Sequence, residues 1–156
     1  MKVFVECFHD SALARFMGIP LRQVGHENCK GNVLRSLAKW NGQAFGIVDA
    51  DTGKLHSNPA EMAKYDKQGG SHGLKLMRHR TDARKSLVLI DPTLEDWLFA
   101  RASSCRLRLR DYELPESPHA MHEDPHCDRK PGFNRFLTEL EAADDGMKLL
   151  RKWLGG

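Results

Sequence analysis

The sequence predicts an α/β domain with a mainly parallel sheet flanked by helices. Short apolar segments typical of strands alternate along the chain with segments whose apolar residues recur at helical spacing. In addition, the segment 44–48 is apolar on both faces, as expected for a strand buried between two layers of helices. This alternating βα order is typical of a sheet whose strands run parallel.

The first strand–helix unit occupies the first 18 residues. A β-rich run at 3–5 precedes a segment with helical periodicity, for which Asp10 or Ser11 is the expected N-cap. We expect Gly18 to end that helix, because glycine readily adopts the conformations that close helices.

The second unit follows Pro20. A strand is expected from there to about Val24, and a helix that carries Val33 and Leu37 is expected to stop at Asn41-Gly42. The third strand, 44–48, runs into Asp49-Ala50-Asp51, which places two carboxylates at the end of a buried strand.

The middle of the chain is expected to be less regular. Residues 52–73 are rich in Gly, Asn, Asp and Lys, which favours a loop or lid with at most a short helix near 60–65. Another strand is predicted at 87–90, followed by a helix for which Thr93 is the N-cap.

The C-terminal part contains four prolines between 111 and 132, so we expect that Pro/His-rich segment to be irregular. An amphipathic C-terminal helix is predicted after it, with Gly146 as the place where it could be interrupted. The predicted organisation is one domain of 156 residues, with an α/β core (1–110), an irregular loop (111–132) and a C-terminal helix (133–156).

Composition favours a cytoplasmic globular protein. Hydrophobic residues make up 40% and charged residues 29% of the chain, which is ordinary for such proteins. We see no membrane-spanning run and no signal-peptide pattern, and we expect no membrane partner. The four cysteines are scattered without a CxxC pair, which favours reduced thiols.

Acidic residues follow the predicted strands in a regular order. Glu6 ends the first strand, Asp10 lies four residues later, and Asp49 and Asp51 follow the third strand. Because the ends of adjacent parallel strands meet at one edge of a sheet, Glu6, Asp49 and Asp51 are expected within reach of one Mg²⁺ or Mn²⁺ ion. Such a metal lowers the pKa of a bound water and neutralises phosphate charge. The alternative is that the four are unrelated surface acids.

These residues resemble the motifs of the Toprim family. The segment Val-Glu-Cys-Phe-His-Asp (5–10) is similar to the first motif, and Ile-Val-Asp-Ala-Asp (47–51) to the DxD motif. The resemblance covers about the first half of the chain. It implies an endonuclease in which Glu6, Asp49 and Asp51 are catalytic and bind metal on DNA or RNA. Asp10 resembles the OLD-type version of the motif, where this aspartate helps hold a second metal.

Two looser matches extend the resemblance to small Toprim-like proteins that accompany ATPases in bacterial defence. They are the loop 28–32 and the helix start 92–97, and the second implies Glu95 as a further metal ligand. An ATPase or other protein partner and a role in anti-phage defence are implied in the same way. One departure is Cys7, where the family usually has glycine. If Cys7 blocks the site, the alternative is a non-catalytic subunit that docks a partner.

The net charge of +3 alone does not indicate a polyanion partner. Basic residues are nevertheless concentrated in 75–85 and 101–110, which favours contact with nucleic-acid phosphates. Lys75 is the expected catalytic cation, with Arg78 as an alternative phosphate contact, and His72 is a candidate proton shuttle. Solvated surface charge is the competing interpretation for each.

The sequence also contains His122-Glu-Asp-Pro-His126, which matches the HExxH pattern of zinc proteases. That chemistry needs both histidines on one helix, and Pro125 between them disfavours it. A further alternative is a structural Zn²⁺ held from a loop by His119, His122, His126, Cys127 and Asp128, although a solvated loop is the preferred interpretation.

Overall fold

The computed structural model describes residues 1–50 and 58–155. Within them the chain forms one six-stranded sheet, with strand order β2-β1-β3-β6-β5-β4. The strands are β1 (Lys2–Val5), β2 (Val24–His26), β3 (Ala44–Asp49), β4 (Tyr65–Ser71), β5 (Leu74–His79) and β6 (Lys85–Ile90). Strands β2, β1, β3 and β6 are parallel, whereas β5 and β4 add to the sheet antiparallel. The predicted α/β class with a mainly parallel sheet is confirmed.

Helices lie on both faces of the sheet. They are α1 (Phe8–Phe16), α2 (Lys30–Lys39), α3 (Pro59–Met62), α4 (Leu94–Ser104), α5 (Pro118–Glu123), α6 (Pro131–Ala143) and α7 (Asp145–Gly155). Among the residues that the structure describes, short 3₁₀ turns occur at Leu21–Gln23, Leu109–Tyr112 and Cys127–Arg129. None of the helices in the described ranges combines the length and the apolar character needed to cross a bilayer.

Two hydrophobic clusters fill the space between the layers. Alternating residues of β1 divide between them, with Val3 and Val5 in the larger cluster and Phe4 in the smaller one. The larger cluster joins the sheet to α1, α4, α6 and α7, and the smaller one joins it to α2. Gly46 of β3 lets α2 approach closely, because an added Cβ would lie 2.8 Å from Leu37 Cδ1.

The region 65–73 differs from its prediction as part of a loop or lid. Together with 74–79 it forms the β4–β5 hairpin, whose two-residue turn has positive φ at His72 (55°) and Gly73 (76°). A turn with two positive φ angles matches the twist of a hairpin. The hairpin was not predicted because β4 is polar and contains two glycines, so its alternation is weak. His72 therefore occupies a defined hairpin turn.

Smaller corrections concern the ends of elements. The N-cap of α1 is Cys7 rather than Asp10 or Ser11, and β2 begins at Val24, where the strand was predicted to end. In the C-terminal part, the helix breaks at Asp144 rather than at Gly146. The segment 111–132 is also more regular than predicted, since it contains α5, the whole 3₁₀ turn Cys127–Arg129 and the end of the 3₁₀ turn Leu109–Tyr112.

Candidate metal centre at the carboxyl edge of the sheet

A cleft of about 550 Å³ opens at the carboxyl ends of the parallel strands. Its described lining contains two of the predicted acids from strand ends, Glu6 and Asp49, and the predicted ligand Glu95 at the start of α4. The other described lining residues are Cys29, Lys30, Thr93, Asp96, Pro118, His119 and His122. Strand ends of α/β sheets are where such folds bind ligands.

Glu6 follows the last residue of β1 and is held by the neighbouring strand. Its Oε1 accepts a hydrogen bond from the backbone N–H of Asp49, at 2.9 Å. Burial raises the pKa of Glu6, although this hydrogen bond and the positive charge of Lys30 oppose the rise. The parallel pairing of β1 and β3 thus brings the first two predicted acids together.

Asp49 ends β3 and connects it to the next helix of the site. Its Oδ1 accepts a hydrogen bond from the backbone N–H of Leu94, the first residue of α4, at 2.9 Å. Burial raises the pKa of Asp49 to about 8, and the negative charges of Asp10 and Glu6 add to the rise. A carboxyl group in this environment is ionised at neutral pH only if a cation compensates it.

Asp10 lies in the first turn of α1 and is almost fully buried. Its Oδ2 accepts from the backbone N–H of Cys7 at 3.0 Å, in a capping box in which the Cys7 side chain accepts from the Asp10 N–H. The other oxygen, Oδ1, is buried and has no hydrogen-bond partner. Burial raises the pKa of Asp10 to about 7, and the charges of Glu6 and Glu95 contribute.

Cys7 stands where the Toprim motif usually has glycine, but the backbone at this position does not require glycine. Its φ of −134° and ψ of 177° are ordinary extended values that any residue adopts. Burial and the charge of Asp10 raise the pKa of the thiol. The substitution therefore leaves the local backbone unstrained and adds a sulfur atom as the helix cap.

Glu95 is buried next to two histidines. Its Oε1 lies 2.8 Å from His9 Nδ1 and 3.7 Å from His122 Nδ1. Burial alone would raise the pKa of Glu95, but the hydrogen bond and charge of His9 outweigh it and the pKa is lowered. The pKa of His9 is raised, because its bond to Glu95 outweighs the opposite effect of burial.

Two of the predicted catalytic residues are not part of the described cleft. Asp51 lies outside the residues that the structure describes. Lys75 pairs with Asp91, with 2.9 Å between Nζ and Oδ2, and both side chains are about half exposed. Arg78, the alternative phosphate contact, is an exposed residue of β5. Lys30 at the start of α2 is almost fully buried, lines the cleft and acts on Glu6 through its positive charge.

Sequence reasoning also missed the histidines of the centre. His9 lies inside the segment 5–10 that carried the first motif, so its position next to Glu6 and Asp10 was the available signal. His122 was considered for the HExxH pattern of a zinc protease, which the structure does not support, and for a structural Zn²⁺ held by the loop 119–128, but not as a neighbour of Glu95. Helix α5 ends at Glu123, so His126 is not on the same helix as His122.

Comparison with known proteins identifies no relative: no family model, no curated protein and no solved structure matches the chain.

Proposed function

We propose that this protein is a Mg²⁺- or Mn²⁺-dependent endonuclease that cleaves phosphodiester bonds in DNA or RNA at the cleft described above. The observation that carries the proposal is the proximity of Glu6, Asp10 and Asp49. Burial raises the pKa of all three, and the negative charges of neighbouring acids add to the rise at Asp10 and Asp49. An unpartnered buried oxygen on Asp10 adds to this, since buried charged groups are normally paired or bound to metal.

The residues present fit a hard cation. Glu6, Asp10 and Asp49 would hold it, with Asp51 expected beside them, because carboxylate oxygens are the ligands that Mg²⁺ prefers. When bound, the ion supplies an activated water and neutralises the charge of the phosphate. The backbone hydrogen bonds of Glu6 and Asp49 orient these carboxylates before substrate arrives.

We assign the phosphate contact to Lys30 rather than Lys75. Lys30 lines the cleft and its charge acts on Glu6, whereas Lys75 is paired with Asp91 away from the lining. A cation in the cleft stabilises the additional negative charge of the transition state in phosphoryl transfer. Roles in defence and with an ATPase partner stay predictions that rest on the resemblance alone.

The test is cleavage of plasmid DNA, single-stranded DNA and total RNA in Mg²⁺, in Mn²⁺ or in EDTA. Asp49→Asn keeps the acceptor for the Leu94 N–H but removes the charge, and we expect a loss of at least about 100-fold. Asp91→Asn is the matched control, because Asp91 follows β6 at the same edge but does not line the described cleft.

Metal-dependent cleavage by the wild type and the control, but not by Asp49→Asn, would support the proposal. Absence of cleavage in every condition would instead favour the non-catalytic docking subunit. In that case the protein is expected to co-purify with a partner in an Asp49-dependent and metal-independent manner.

A further inference from the structure

The side chain of His9 is held between two oxygen atoms. Nε2 lies 3.0 Å from the backbone carbonyl oxygen of Asp124, and Nδ1 lies 2.8 Å from Glu95 Oε1. A carbonyl oxygen only accepts hydrogen bonds, so Nε2 carries a hydrogen and donates it. In a neutral imidazole the lone pair is then on Nδ1 and faces a carboxylate oxygen. Two acceptors at this distance require a positive charge between or beside them, either a proton or a metal ion.

A thiol completes the surroundings of this position. One donor atom each from Cys7, His9 and Glu95 lies within 4.8 Å of the others, so the three can reach a common ion. The orientation of His9 matches a frequent feature of metal sites, in which a ligating histidine donates its second N–H to a backbone carbonyl. The backbone N–H of Asp10 similarly points at Cys7 Sγ, at 3.4 Å.

A fourth donor is available at the mouth of the cleft. His122 Nδ1 lies 3.7 Å from Glu95 Oε1, and its side chain is exposed, so the ring can turn towards an ion. Its helix, α5, packs against α4, which carries Glu95. The combined set of one sulfur, two imidazole nitrogens and one carboxylate oxygen suits Zn²⁺, whereas Mg²⁺ rarely binds sulfur or nitrogen.

We propose that Cys7, His9, Glu95 and His122 form a second metal site that binds Zn²⁺, separate in its chemistry from the carboxylate site of Glu6, Asp10 and Asp49. This inference does not rest on the proposed nuclease activity, because it concerns donor atoms and not the reaction. An ion there would tie α1, α4 and α5 together at the base of the cleft. The carboxylate of Glu95 would then be a ligand of Zn²⁺ and not of Mg²⁺.

Cobalt substitution tests the site without any use of activity. Metal-free protein is titrated with Co²⁺, whose bond to a thiolate gives a near-ultraviolet charge-transfer band, and Zn²⁺ or Mg²⁺ is then added. We expect the wild type to bind one Co²⁺ with this band, Zn²⁺ to abolish it, and excess Mg²⁺ to leave it unchanged. Cys7→Ser should lose the band. Cys29→Ser is the matched control, because Cys29 is, like Cys7, a half-buried thiol, and it lines the cleft without belonging to the cluster of Cys7, His9 and Glu95.

A second variant covers the case in which changes at Cys7 impair folding. His122 is exposed, so His122→Ala should fold normally, and we expect its affinity for Co²⁺ to fall at least about tenfold. The proposal is overturned if the wild type shows no thiolate band, if the band persists in Cys7→Ser, or if His122→Ala binds Co²⁺ as tightly as the wild type. In the first case a proton on His9 accounts for the geometry.

Discussion

Two buried charges lie at opposite ends of the same sheet, and their surroundings differ. At the amino end of β6, Lys85 is almost fully buried, and its ammonium group donates to the carbonyl oxygens of Leu37 (2.5 Å) and Trp40 at the end of α2. At the carboxyl edge, Asp10 is equally buried, but one of its oxygens has no partner and acidic groups surround it.

The difference separates a structural charge from a functional one. Lys85 donates to two carbonyl groups at the end of α2, of which that of Leu37 also accepts from the Trp40 N–H, so the burial of its charge is compensated within the fold. The ionised carboxylate of Asp10 destabilises the folded state, and its negative charge is compensated only when a cation binds. Removing each charge should therefore change stability in opposite directions, and the following predictions rest on this contrast.

The largest expected effect is a loss of stability with rising pH when metal is absent. The pKa values of Asp10 and Asp49 are about 7 and about 8 in the folded protein, against 3.8 ordinarily. In the pH range between the ordinary and the raised pKa values, the folded state holds more protons than the unfolded state. The free energy of unfolding is therefore greatest at low pH and falls as the pH rises towards 8.

The measurement is urea unfolding in EDTA at pH 5 and pH 8. Each group lowers the free energy of unfolding by at most about 1.4 kcal/mol per pH unit. The pKa of His9 is also raised and acts in the same direction. The double variant Asp10→Asn, Asp49→Asn isolates the carboxylates and should flatten the profile. A profile as steep in the double variant as in the wild type would contradict the assignment.

The next largest change in stability is expected from the replacement of Lys85. Lys85→Met keeps an unbranched apolar stem but removes the ammonium group that donates hydrogen bonds to the carbonyl groups of Leu37 and Trp40. We expect a destabilisation of about 2–3 kcal/mol by urea unfolding with an unchanged slope. An unchanged or higher midpoint would show that the hydrogen bonds to Leu37 and Trp40 do not compensate the buried charge of Lys85.

The corresponding change at the other end is Asp10→Asn. An amide can still accept from the Cys7 N–H and is not repelled by Glu6 or Glu95. We expect stabilisation by about 1–2 kcal/mol at pH 8 in EDTA. Mg²⁺ or Mn²⁺ should raise the unfolding midpoint of the wild type but not that of the variant. Destabilisation in EDTA would mean that Asp10 is needed for the fold and is not held for a cation.

The smallest effect is expected at Lys75. Its ion pair with Asp91 is half exposed, and such pairs contribute little because solvent screens them. Lys75→Ala should change stability by less than about 0.5 kcal/mol and leave cleavage within about threefold, whereas Lys30→Gln should reduce cleavage at least about tenfold. If Lys75→Ala reduced cleavage more than Lys30→Gln, Lys75 would be the phosphate contact instead of Lys30.

Most of the parallel part of the fold was predictable, because β1, β3 and β6 contain apolar runs and the helices beside them are amphipathic. The short strand β2 has no such run. The same regularity placed Glu6 and Asp49 together, since strand ends meet at one edge. The hairpin was not predictable from periodicity, because pairing with β6 orders a polar β4–β5 segment whose own pattern is weak. Its Ser-His-Gly turn was the local signal that remained.

The site was predictable only where residues distant in the sequence meet at the ends of paired strands, as Glu6 and Asp49 do. The contacts of His9 with Glu95 and Asp124 join residues 86 and 115 positions apart. Pairings of this kind depend on how α4 and α5 pack over α1, which no local pattern encodes. The exposed pairing of Lys75 with Asp91 likewise follows from the antiparallel addition of β5 to β6.

The most direct test of the central claim, that the buried acids are held for a cation, is Mn²⁺ binding followed by electron paramagnetic resonance at pH 8. We predict that the wild type and Asp91→Asn remove free Mn²⁺ from solution, and that Asp49→Asn and Asp10→Asn bind it much more weakly. Equal binding by all four proteins, or binding by none of them, would contradict the account.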